Sequence, residues 1–369
     1  MLSLAAMFAV LSYASPASAE LKIGGDAAVR LRSEFNDNEI NNVHQDNEDN
    51  LLFQYRIRLK ASADLGSGYF FKAMAQSEEN NAGKTLGGGW SGVGNNNSGA
   101  YNIEISNFYF GRMMECSHYQ IGRLPLNSFN NPIFDLTLYP VPGAFGTSTI
   151  YAVDIPVATW NFDRVFGLNY GTKIGNDDLN ATLVVFDDAT GDNNSSASGD
   201  GLFNDGYLLH LAYKTTLGDV TFEPQAIISL TDGNGLTYQN ISPNTFGANA
   251  TIPVGKSKIG LSGFYTVCDD HKGSADVDYS GYLLRAKAES GPVMAWVDYN
   301  RTVDKTASDV TYDNLFVWAQ YNFKVHESAM GTFSLTPTVR YRASGADYGN
   351  NVTTDNNQLR GELYATVTF

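Results

Sequence analysis

The sequence has few cysteines and few charged residues, and after residue 19 it has no apolar run long enough to form a membrane-spanning helix. Only 2 of the 369 residues are cysteine, and 17% are charged. The cysteine count excludes a disulfide-stapled scaffold. A bundle of membrane-spanning helices is also excluded, since each helix needs about 20 consecutive apolar residues. Lysine and arginine (24) are outnumbered by aspartate and glutamate (39), so the net charge of −15 opposes binding to nucleic-acid phosphates.

The first nineteen residues differ in composition from the rest of the chain. They carry no charge, and an apolar core over Leu2–Leu11 is followed by small residues that end at Ala19. This pattern is typical of a secretory signal peptide. We therefore expect cleavage before Glu20 and export of residues 20–369 as one domain. The alternative interpretation of residues 1–19 is a short buried helix.

The remaining chain alternates between apolar and polar residues. Every odd position from Leu51 to Leu65 is apolar, whereas the even positions between them are mostly polar and include Arg56, Arg58 and Lys60. Residues 21–35 follow the same rule, with Arg30 and Arg32 on the polar face. A period of two over about fourteen residues predicts long β-strands with one apolar and one charged face.

Sixteen such segments are predicted as strands, and short turns alternate with long polar connections between them. The segments lie near 21–35, 51–64, 69–77, 102–114, 117–124, 162–174, 179–187, 206–217, 220–230, 245–254, 258–268, 279–289, 293–300, 313–324, 332–342 and 359–369. This rhythm is typical of an antiparallel barrel in a membrane. A soluble sandwich or β-helix is the alternative architecture, but a soluble core cannot leave whole faces of arginine unpaired.

Several segments resemble the general porins of Gram-negative bacteria. Two strands that meet at a tight turn each carry Gly-Arg (Gly111-Arg112 and Gly122-Arg123), and an unusually long connection follows, over about residues 124–161. The strand after it begins Asp163-Arg164-Val165-Phe166, and the chain ends on an amphipathic strand with a terminal Phe369.

The resemblance implies an all-β transmembrane antiparallel β-barrel of 16 strands, with short periplasmic turns and long extracellular loops. The third loop would fold into the lumen, and its apolar composition agrees with such a position. A plug-like or partner-covered external loop is the alternative. The resemblance also implies a water-filled channel for passive diffusion of ions and small hydrophilic solutes. Such a protein would be a homotrimer in the bacterial outer membrane, in contact with the lipid bilayer and lipopolysaccharide.

Basic residues on neighbouring strands predict one side of a pore constriction. They are expected to face acidic residues of the third loop, Asp135 and Asp154, across the lumen, so that a transverse field orients dipolar solutes. Alternatively, the arginines are solvated lumen residues paired with Asp26, Glu34 and Glu362. The predicted basic side comprises Arg30, Arg32, Arg56, Arg58, Lys60, Arg123, Arg340, Arg342 and Arg360.

Other functional classes have less support in the sequence. The basic residues favour anions and the acidic mouth loops attract cations, so the sign of the selectivity stays open. No catalytic motif occurs among the five histidines, which argues against an enzyme. We expect no cofactor, although Asp/Asn-rich loops such as residues 187–205 could hold Ca²⁺ loosely. A substrate-selective barrel, or a plugged structural or adhesin barrel, is the alternative function.

Overall fold

The structure is a computed structural model that describes residues 20–45, 48–78, 90–93, 102–127, 129–134, 164–188, 205–233, 241–270, 277–306, 309–349 and 352–369. The predicted signal peptide, residues 1–19, lies outside the described residues. Within the described ranges, no helix is both long and apolar enough to cross a membrane.

Sixteen long strands form one antiparallel sheet. Two-residue strands at Val43–His44 and Ser91–Gly92 pair with the first and second of them, and Phe323–Ser328 continues the fourteenth. In chain order the long strands are β1 (Glu20–Ile40), β2 (Glu48–Gly66), β3 (Tyr69–Glu78), β4 (Asn102–Met113), β5 (Ser117–Pro125), β6 (Arg164–Ile174), β7 (Asp177–Asp187), β8 (Gly206–Leu217), β9 (Val220–Ser229), β10 (Asn244–Val254), β11 (Ser257–Asp270), β12 (Val277–Ser290), β13 (Val293–Asp304), β14 (Val310–Tyr321), β15 (Gly331–Asp347) and β16 (Thr353–Thr368).

The first and last strands close the sheet into a barrel. β1 pairs with β16 on one side, from Asp26 opposite Thr368 to Ile40 opposite Thr354, and with β2 on the other side. Next to this ladder, the N–H of Gly25 donates to the Phe369 oxygen at 2.8 Å, and the Phe369 N–H donates to the Gly25 oxygen at 3.1 Å. Each of the sixteen strands therefore has two neighbours, which satisfies its backbone groups without water.

Short turns lie at one rim of the barrel, and longer connections lie at the other. Gly175, Gly218, Gly255 and Gly291 begin two-residue turns with φ between 55° and 66°. Glycine adopts this left-handed backbone without a steric penalty, and tight turns of this kind fit the twist of paired strands. The longer connections follow β1, β3 and β5 and every second strand after them.

The two faces of the sheet differ chemically, as the alternation predicts. On β1, Val29 and Leu31 are 54% and 37% exposed, whereas Arg30 and Arg32 are 1% and 3% exposed. Apolar side chains therefore cover the outside of the barrel, and charged side chains line its interior. This is the opposite of a soluble protein, so the sandwich and β-helix alternatives are wrong.

All sixteen predicted strands are present, but several extend further toward the long-loop rim than predicted. β1 continues to Ile40 instead of residue 35, β15 continues to Asp347 instead of residue 342, and β16 begins at Thr353 instead of residue 359. The added residues are mostly Asn, Asp, Glu, Ser and Thr. Hydrophobic alternation ends where the apolar band ends, while backbone pairing continues beyond it.

Substitution of Gly25 tests the closure of the barrel. A Cβ atom on Gly25 would overlap the Arg58 carbonyl oxygen and approach the Phe369 ring at 3.1 Å, whereas a Cβ on Gly361 would meet no atom within 4 Å. We expect Gly25→Ala to lower the free energy of unfolding by about 1–3 kcal/mol, the usual cost of overpacking. Denaturant unfolding in lipid vesicles measures it. The matched control, Gly361→Ala, should be neutral, and an equal loss in both variants would contradict the prediction.

Candidate functional site

Seven arginines line one wall of the barrel interior. Arg30 and Arg32 lie on β1 and Arg360 on β16, and all three are at most 3% exposed. Because β15, β16, β1 and β2 are consecutive neighbours in the closed sheet, these side chains form one continuous patch. We call this patch the basic wall; its members are Arg30, Arg32, Arg56, Arg58, Arg340, Arg342 and Arg360.

Three carboxylates lie within the basic wall. The Glu362 carboxylate forms ion pairs with Arg32, at 2.6 Å from its Nε, and with Arg340, at 2.9 Å from its Nε. Arg360 contacts Glu34 at 2.7 Å, and Asp26 accepts from Arg58 Nε at 2.8 Å. These ion pairs agree with the alternative interpretation of the arginines, in which Asp26, Glu34 and Glu362 pair with them. Within the described part of the chain, the seven guanidinium groups of the wall outnumber the three carboxylates that pair with them.

A tryptophan from the second long loop covers part of the basic wall. Trp90 is 4% exposed, and its ring lies 4.2 Å from the guanidinium carbon of Arg30 and 4.6 Å from that of Arg56. The adjacent Ser91–Gly92 strand pairs with β2, which holds the indole inside the barrel. Trp90 cannot be identified from the sequence, because a loop has no periodicity that shows which way a side chain points.

The third long loop enters the lumen immediately after β5. Phe129 packs edge-on against Trp296 of β13, with ring centroids 4.5 Å apart, and against Trp318 of β14 at 5.6 Å. Asn130 accepts from Lys287 of β12 at 2.6 Å. These strands lie far around the barrel from β5. The described beginning of the loop therefore crosses the interior.

Further contacts fix the same segment to the intervening strands. Asn131 donates to Gln225 of β9 at 2.9 Å and accepts from Asn249 of β10 at 3.0 Å. Phe134 is 5% exposed and packs against His210 of β8, with ring centroids 5.1 Å apart. The interpretation of this segment as an external loop is therefore wrong.

A tryptophan pair connects Phe129 of the third loop to the basic wall. The rings of Trp296 and Trp318 lie 4.8 Å apart, and the Arg340 guanidinium carbon is 3.6 Å from the Trp318 ring centroid. Beside them, Arg285 and Asp298 form two hydrogen bonds of 2.7 Å. These residues are hard to identify from the sequence, since both faces of β13 and β14 contain apolar side chains there.

The structure places two predicted basic residues apart from the wall. Lys60 lines a lumen cavity on the short-turn side of Arg58. Arg123 lies opposite Phe108 and Phe166, which are 40% and 47% exposed on the outer face, and its guanidinium carbon is 5.3 Å from the Phe166 ring centroid. Its predicted position in the constriction is wrong, because a residue two positions from the outward-facing Ile121 shares its face.

Asp135 and Asp154, the predicted acids of the third loop, lie outside the described residues. So does most of the 187–205 connection considered for Ca²⁺. In the described part of the chain, Asp37, Glu39 and His44 bring possible metal-ligand atoms within 4.8 Å of one another. This group is partly to fully exposed at the long-loop rim, away from the basic wall.

Comparisons with known proteins agree with this geometry. A sequence model of the Gram-negative porin family matches residues 3–333. A search of curated proteins gives no match.

Solved structures share the fold at low sequence identity. The anion-selective porin from Comamonas acidovorans is 13% identical with a TM-score of 0.56, covering 95% of this chain and 100% of that chain. The outer membrane channel DcaP of Acinetobacter baumannii is 12% identical with a TM-score of 0.56, covering 96% and 99%. OmpT of Vibrio cholerae is 10% identical with a TM-score of 0.51, covering 95% and 99%.

The family match extends over most of the chain, and the closed barrel with its charged interior and apolar exterior is the structure that this family requires. The chain therefore belongs to the Gram-negative porin family and is an outer-membrane channel for the diffusion of small solutes.

Proposed function

We propose that ions and small hydrophilic solutes pass through a constriction between the basic wall and the third loop, and that this constriction favours anions. The observation that carries the proposal is that, among the described residues, seven arginines of the basic wall pair with three carboxylates. Arginine stays charged at any accessible pH. The positive charge of these seven side chains is therefore a permanent property of the pore.

The contacts of Phe129 indicate a narrow passage at the level of the basic wall. Phe129 holds the described part of the loop against Trp296 and Trp318, and Arg340 of the basic wall lies on the Trp318 ring. Fixed charges beside low-dielectric walls act strongly on a passing ion. A transverse field between the wall and Asp135 and Asp154 stays a prediction.

The proposal also covers the assembly of the channel, its mode of transport and its cofactors. The channel assembles as a homotrimer, as porins usually do, and its outer leaflet contacts are with lipopolysaccharide. Transport is passive, and no enzymatic activity is assigned. No resident cofactor is needed, and Ca²⁺ at the acidic loops is a loose association.

A plugged barrel is the second candidate function. Trp90 and residues 129–134 enter the lumen and reduce its open cross-section. Recording in planar bilayers separates the two candidates, because a porin gives stepwise conductance and a plugged barrel gives none.

Neutralising two arginines of the basic wall should weaken anion preference. We expect the double substitution Arg56→Gln and Arg58→Gln to move the reversal potential in a KCl gradient toward the cation equilibrium potential, since both side chains face the lumen. The measurement is reversal potential in a planar bilayer with a tenfold salt gradient.

The control for this prediction is Arg123→Gln, which removes a positive charge from the outer face. It should leave the reversal potential unchanged. If the double variant gives the same reversal potential as the unsubstituted protein, the basic wall does not set selectivity.

Removing the Phe129 ring should loosen the third loop. The Phe129 ring is partly buried against Trp296 and Trp318, so its loss costs less packing energy than the about 3–5 kcal/mol of a fully buried aromatic side chain. We expect Phe129→Ala to increase open-channel current noise and mean conductance. Single-channel recording provides the test. The control is Phe323→Ala, at an exposed outer position. Current noise and mean conductance that stay unchanged in both variants would contradict the proposal that Phe129 holds the loop.

A further inference from the structure

A second basic region lies on the short-turn side of the basic wall. It is a lumen cavity of about 580 Å³ lined by residues of the first six strands, β1 to β6. Among the described residues that line it, none is acidic. The cationic side chains at its surface are Lys22, Arg58, Lys60, Lys72 and Arg164.

Two of these cations form ion pairs with nearby carboxylates. Lys22 pairs with Glu20 at 3.2 Å, and Arg58 pairs with Asp26 at 2.8 Å. Within the described chain, no carboxylate lies within 4 Å of the ammonium group of Lys60 or Lys72. The two lysines are therefore available to an anion that enters the cavity.

The cavity also offers neutral hydrogen-bonding groups next to the lysines. Ser62 lies directly between Lys22 and Lys72 in the register of β1, β2 and β3. Ser106 and Asn107 of β4 complete the polar lining. Hydroxyl and amide groups can bind the oxygen atoms of a carboxylate or phosphate that a lysine attracts.

The spacing of the charges distinguishes a multivalent ligand from a simple ion. Adjacent strands are about 4.8 Å apart, so the backbone positions of Lys22 and Lys72 are about 10 Å apart, with Lys60 one row away on the strand between them. One chloride ion cannot contact such widely separated groups, whereas an organic anion with two or three charged groups can. The volume also falls within the usual range for small-molecule sites.

We propose that this cavity is a binding site for small organic anions with two or more carboxylate or phosphate groups. It lies on the periplasmic side of the constriction, where it holds an anion that has passed the basic wall. The inference rests on the proposed anion preference and adds the ligand class and the residues Lys60 and Lys72.

Citrate block of the KCl current tests the site. We expect millimolar citrate to reduce the current of the unsubstituted channel, and the double substitution Lys60→Gln and Lys72→Gln to raise the half-blocking concentration about tenfold, equivalent to about 1.4 kcal/mol. Inorganic phosphate in a parallel series separates carboxylate from phosphate binding. Calorimetric titration of the folded protein in detergent measures binding independently of conduction.

Lys214→Gln is the matched control. Lys214 lies on the same strand face as His210, near the short-turn rim and beside Glu223, but outside the cavity lining. Its substitution should leave citrate block unchanged. Equal relief of block by Lys214→Gln would show that citrate senses only the total lumen charge, and this would overturn the site.

The outcomes also distinguish this inference from the proposed function. Absence of anion preference in the KCl gradient would refute the proposed selectivity. Anion preference that persists without citrate or phosphate binding would refute the cavity site alone. Heat-dependent gel migration checks that each variant forms the folded barrel.

Discussion

The need to pair every backbone N–H and C=O inside a lipid bilayer determines the rest of this structure. Sixteen antiparallel strands meet it by closing β1 onto β16, and Gly25 and Phe369 extend the pairing at the seam. Once the sheet is closed, alternate side chains must face either lipid or the interior. Arginines at alternate positions are then tolerated because interior acids such as Glu34 and Glu362 pair with them, and the same alternation gives the outside its apolar surface.

The interior is organised as a connected set of cations and aromatic rings. Phe129 of the third loop contacts Trp296 and Trp318, Trp318 contacts Arg340, and Arg340 shares Glu362 with Arg32. The position of the loop and the charge of the wall are thus physically linked. A guanidinium group on a desolvated aromatic face gains about 2 kcal/mol or more, so these contacts can hold like-charged arginines in neighbouring positions while the loop remains fixed in the lumen.

Much of this arrangement could be predicted from the sequence. The period of two predicts all sixteen strands. It also places five arginines on the interior face, because apolar neighbours such as Val29 define the lipid-facing side. These arginines are Arg30, Arg32, Arg340, Arg342 and Arg360. The Gly-Arg motif predicts the position of Arg123 wrongly, because Arg123 shares the outward face of Ile121, two residues before it. The position of Trp90 in the lumen cannot be predicted from the sequence. This loop residue is positioned by its contacts with Arg30 and Arg56, and it has no periodic neighbours. The direction in which Trp296 points is ambiguous in the sequence, because both faces of its strand are apolar there.

Thiol accessibility along β2 shows whether the closed sheet encloses water. In a Cys116→Ser, Cys268→Ser background, cysteine is substituted singly for Ile57, Arg58, Leu59 and Lys60, and each protein is treated in lipid vesicles with a charged, membrane-impermeant thiosulfonate. Arg58 and Lys60 line the lumen cavity, whereas Ile57 is exposed on the outer face. We expect modification and reduced conductance at positions 58 and 60, and protection at 57 and 59. Modification at positions 57 and 59, or equal reaction at all four positions, would contradict a closed barrel with a charged, water-filled interior.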